Sequence, residues 1–115
     1  MNAQIETRID SFCTHFGLQP GDLMTRSFPM GPNGTGGVGT EIILGANDPS
    51  KSEGRVKIDP AGNFIVFTSN QPVVVEEGVV FEQAASLVEE NRIRHISQTL
   101  LLEAAIKGGW KPYPL

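Results

Sequence analysis

The chain has 115 residues, a formal net charge of −4 and a pI near 5.0. That length fits one domain, residues 1–115, with a single core and no room for a second. The acidic balance repels nucleic-acid phosphates and anionic membranes, so the expected partners are proteins or neutral molecules. Cys13 is the only cysteine, which excludes an internal disulfide and a cysteine-rich zinc site and points to a reducing compartment. No stretch approaches the roughly 18 consecutive apolar residues of a membrane span. The opening MNAQIETRIDSF also lacks the basic start and apolar run of a secretory signal. A cytoplasmic protein with no membrane partner is the expectation.

In chain order, Ile5, Ile9, Phe12 and Phe16 recur at helical spacing before Gly17, which predicts a helix over about residues 3–16. A Pro-Gly turn at 20–21 precedes a short extended segment near 22–28. The run TEIILG at 40–45 reads as a strand bounded by the turn-rich ANDPSKSEG. RVKID-PAG-NFIVFT is a β-hairpin: Val56 and Ile58 share one face, Arg55, Lys57 and Asp59 the other, and Pro60-Ala61-Gly62 turns the chain. Its second arm, Phe64 to Phe67, is apolar at every position, which predicts cover on both faces. In QPVVVEEGVVF, Val73 to Val75 and Val79 to Phe81 favour strand while Glu77-Gly78 reads equally as a turn or a helix entry; an edge strand is expected there, because Pro72 cannot donate to a ladder.

From about Glu82 the pattern is helical, with Phe81, Ala84, Ala85 and Val88 on one side. Beyond Asn91 it re-phases to Ile93, Ile96, Leu100 and Ala104, giving one bent helix or two jointed at Asn91. Gly108-Gly109 ends it, and residues 110–115 form an extended tail. The expected fold is therefore α+β: an N-terminal helix, a three- to four-stranded antiparallel meander and a C-terminal helical segment.

MGPNGTGGVGTE at 30–41 resembles the start of a phosphate-binding loop, yet Gly37 and Val38 stand where the lysine and the magnesium-binding hydroxyl belong. A strand rather than a helix follows it. Residues 30–40 are instead expected to be a flexible Gly-rich connector. The alternative is a loop closing over a small ligand in a pocket lined by Phe28, Met30, Ile42 and Leu44.

Candidate chemistry is sparse. Cys13 and His15 fall about 200° apart on a helix and cannot meet there. The adjacent pairs Glu76-Glu77 and Glu89-Glu90 diverge rather than converge for acid/base work. No catalytic residue, metal ligand or cofactor is assigned. The order helix, three strands, helix is similar to that of double-stranded-RNA-binding domains, but the late helix opens among glutamates where those modules carry cations. Arg55 with Lys57 and Arg92 with Arg94 give too few phosphate contacts, so no nucleic acid is expected.

The positive signal lies near the C-terminus. Leu102 and Ile106 point away from the apolar stripe and Leu101 and Ala105 lie between, so the helix is apolar nearly all round. With Trp110 these residues form the predicted interface of a homodimer. The functional expectation is a non-catalytic protein-protein interaction domain of adaptor, chaperone or inhibitor type. A helix followed by a strand meander is loosely similar to the secretion chaperones. The alternative is a small-ligand-binding or enzymatic domain with its pocket under the Gly-rich loop.

Overall fold

The computed structural model describes residues 2–19, 21–44, 54–93 and 107–113. Helix α1 spans Ala3–Phe16, as its periodicity predicts. The side chain of Asn2 accepts from the Ile5 N–H at 2.8 Å and caps the start. Gly17 ends the helix in the left-handed region at φ 64°, where a Cβ would be strained. Strand β1 (Met24–Pro29) and strand β2 (Val38–Leu44) follow, then β3 (Gly54–Ile58), β4 (Phe64–Thr68) and β5 (Gln71–Val74). Helix α2 runs Glu77–Ile93, and the two-residue β6 is Lys111–Pro112.

The fold is α+β, with one antiparallel sheet in the order β5-β4-β3-β2-β1-β6. Its strand number exceeds the expected three to four. The edge strand expected at Pro72 is present as Gln71–Val74, paired with β4, and the unforeseen edge is on the other side, where Lys111–Pro112 of the tail pairs with Met24 and Thr25. Of the two readings open at Glu77-Gly78, the helix entry holds: Val79, Val80 and Phe81 belong to the first turns of α2 rather than to a strand. The helix start is fixed by charge as much as by the valines: Glu77 lies in the positive end of the helix dipole and bonds to Arg8 at 2.6 Å. α2 includes Asn91 and is described to Ile93, so the choice between one bent helix and two lies outside the described residues. Ile96, Leu100 and Ala104 lie outside the described residues.

Both helices cover one face of the sheet. Ile5, Ile9 and Phe12 of α1 and Phe81, Ala84 and Val88 of α2 bury Ile42, Val56, Ile58 and Phe64. The hairpin turn is pinned to α1, because Arg8 donates to the Gly62 carbonyl and Asn2 to that of Pro60. A Cβ on Gly62 would lie 2.8 Å from Gln4, so only glycine fits that approach, and its φ of +84° requires the same. Tyr113 ties the end of the chain to α1 through a 2.7 Å hydrogen bond to Asp10.

Candidate functional site

The face of the sheet away from the helices is chemically mixed. Register places Arg26, Glu41, Lys57, Ile65 and Val74 in one row across five strands, and cross-strand partners share a face. Glu41 is the buried member, with its side chain 6% exposed, and Arg26 and Arg55 reach it at 3.0 and 3.6 Å. Both guanidiniums also lie over the Trp110 ring, 4.7 and 5.6 Å from its centre. Trp110 is buried with Met24 and Ile43 in a small second core. Two charges on one buried carboxylate, roofed by an indole, form a structural clamp that joins β1, β2 and β3 to the C-terminal segment.

Further along this face the character changes. Phe28 lies over Gly39, where a Cβ would come within 2.7 Å of the ring and 2.6 Å of the Ile58 carbonyl. Phe67 meets Phe28 edge-on at 6.4 Å, and the Lys57 ammonium sits 5.5 Å from the Phe67 centre. On β5, Val74 is 63% exposed.

The uninterrupted apolar run Phe64 to Phe67 is covered on both faces only in its first half. Phe64 and Ile65 are buried, whereas Val66 and Phe67 are 45% and 41% exposed. The cause is local: β3 and β4 pair at Ile58–Phe64 and Lys57–Ile65 and then diverge. Gly54 begins β3 without a side chain, and a Cβ there would collide with Leu87 of α2. The divergence leaves a cleft of about 160 Å³ between the two strands, backed by Val80, Gln83, Ala84 and Leu87.

The sequence-predicted ligand set is not brought into one wall. Phe28 faces away from the helices, Ile42 is wholly in the core, and Met30 is buried at the base of the loop. Leu44 lines the cleft. The Gly-rich connector contains a short 3-10 turn at Pro32–Gly34 and is closed by hydrogen bonds between Met30 and Gly36 and Gly37. Residues 38–40 belong to β2. Of the expected interface, Trp110 is 2% exposed and buried within its own chain. Leu101, Leu102, Ala105 and Ile106 lie outside the described residues.

Cys13 is buried beside Phe12 in the core, and burial, with Asp10 and Asp22 nearby, pushes its thiol up to about 11. A thiol held protonated is a poor nucleophile. His15 stacks on Phe81 at 4.4 Å rather than meeting Cys13. Among the described residues, no group of three or more His, Cys, Asp or Glu side chains is placed to hold a metal ion. No helix among them is long and apolar enough to cross a membrane. No protein-family model matches the chain, and no curated protein or solved structure is detectably similar to it.

Proposed function

We propose that this is a non-catalytic protein-protein interaction domain that pairs with a second copy of itself at the β4–β5 corner and, as a homodimer, binds another protein. The supporting observation is where apolar surface is left in water. Among the described residues the exposed large hydrophobics are Val38, Val66, Phe67, Val73, Val74 and Val79, and all but Val38 sit on β4, β5 or the first turn of α2. Val66 and Val73 share the helix-side face of the sheet and Phe67 and Val74 the other, so apolar surface flanks the β5 edge on both sides, and exposed apolar surface gathered at one place marks a contact surface.

The strand geometry favours a second copy. Ser69 and Asn70 both have positive φ, at 49° and 65°, and make the two-residue turn that pairs Thr68 with Gln71. Alternation from that closed pair directs the backbone of Gln71 and Val73 towards β4 and that of Pro72 and Val74 outward. Pro72 has no donor, so Val74 carries the strand's one complete outward pair. Two β5 strands related by a two-fold axis at Val74 satisfy both of its groups and set Val73 of each copy against Val75 of the other. The contact is self-complementary, as a closed dimer requires.

Sedimentation equilibrium tests this directly. The wild type should have about twice the 12.4 kDa mass of one chain. Val74→Glu should reduce it to that of a monomer with far-UV dichroism unchanged, since an exposed valine contributes little to its own core. A wild type that remains monomeric as concentration rises would overturn the dimer.

A further inference from the structure

We infer that Asn33 is a site of spontaneous modification, where the chain converts its own side-chain amide to a carboxylate at a rate set by the turn that holds it. The inference uses no residue of the dimer contact. Its first support is sequence. Of the six asparagines only Asn33 precedes a glycine, so only there does the following peptide nitrogen have no side chain beside it to block a close approach. That nitrogen is the nucleophile. The Gly34 amide attacks Asn33 Cγ, a Cγ–N bond forms, the Cγ–Nδ2 bond breaks, and ammonia leaves with the proton given up by the Gly34 N–H. Water then opens the five-membered imide at either carbonyl carbon, giving aspartate or isoaspartate.

The second support is geometry, which holds the reaction back. Asn33 is exposed in the Gly-rich connector and lies in the left-handed region at φ 56° and ψ 26°, a conformation asparagine tolerates better than most residues. Ring closure requires the Gly34 nitrogen to swing onto the same side as the Asn33 Cβ. At that ψ it lies nearly opposite. The Gly34 N–H is also already donated to the Gly31 carbonyl at 3.1 Å, and Thr35 closes the turn on the Pro32 carbonyl twice, from its N–H at 3.2 Å and its hydroxyl at 2.8 Å. The reactive conformer is therefore reached only when these bonds open. Isoaspartate adds a methylene to the backbone at residue 33, which the closure from Pro32 to Thr35 does not accommodate. The conversion thus runs one way, and the turn acts as a timer whose pace is its own local opening.

Peptide mapping of the full chain, aged at mildly alkaline pH in buffer and in concentrated guanidinium chloride, provides the test. In denaturant Asn33 should convert first among the six asparagines. In buffer its conversion should be at least about tenfold slower, as for a segment that opens only a small fraction of the time. Thr35→Val removes the hydroxyl bond to Pro32 at nearly constant shape. It should speed conversion in buffer about two- to tenfold, the range of one net hydrogen bond, and leave the rate in denaturant unchanged. The assignment of the site is overturned if Asn33 converts no sooner than the other asparagines in denaturant. Control by the turn is overturned if buffer and denaturant give equal rates, or if Thr35→Val leaves the rate in buffer unchanged.

Discussion

The two faces of the sheet hold together by different means. Against the helices, Ile42, Val56, Ile58 and Phe64 meet Ile9, Phe12 and Phe81 in a dry core whose stability comes from area removed from water and from close packing. On the opposite face the centre is an ionic clamp, Arg26–Glu41–Arg55 under Trp110, with apolar contacts around it. A dry core tolerates the loss of a side chain in proportion to the cavity it leaves. A clamp with a buried charge responds to the loss of a partner by leaving that charge uncompensated. The same sheet should therefore fail in two distinguishable ways.

The largest effect expected is on the dry face. Ile58→Ala removes a fully buried side chain and should cost about 2–4 kcal/mol in urea unfolding. A much smaller loss would mean that the helices do not seal this face. Next comes Arg26→Ala, which leaves Glu41 with Arg55 alone and should cost about 1–3 kcal/mol. Its signature is recovery: Arg26→Ala combined with Glu41→Gln should be more stable than Arg26→Ala by itself. Additive losses in that double variant would mean that the clamp is ordinary surface. The smallest effect at neutral pH belongs to Cys13. Its thiol is raised to about 11 in the folded chain, so its contribution is fully present below the unfolded thiol range and is lost as pH rises through the folded value. Stability should decline between about pH 9 and 11, and Cys13→Ala should flatten that decline. An unchanged slope would show that the dry face excludes water less completely than its burial implies.

Much of the dry face was legible in the sequence, because period carries it. Ile5, Ile9 and Phe12 recur at helical spacing, and Val56 and Ile58 alternate with Arg55 and Lys57, so α1 and β3 were readable with their buried sides. The other face depends on register between strands distant in sequence. Nothing local to Arg26, Glu41 or Trp110 reveals that they meet. The apolar density of Phe64–Phe67 was readable but its meaning was not, since burial at Val66 and Phe67 depends on β3 continuing beside them. Likewise Val79–Phe81 have strand composition and lie in α2, where tertiary contacts of Phe81 and the Arg8–Glu77 pair outweigh weak propensity. Leu44 is the one member of the expected ligand set that lines the cleft.

Pro72 on the free edge has one more consequence, for what happens when many copies are crowded together. An edge strand with successive outward donors can recruit another strand, and that one a third, so that growth has no natural end. Here Pro72 removes one outward donor from β5, and Pro112 in the two-residue β6 removes one at the far side. Once the Val74 pair is occupied by a second copy, the β5 side offers no further template. In the proposed dimer, then, the prolines on both edges leave a valine-rich strand at the surface without a template for a fibre.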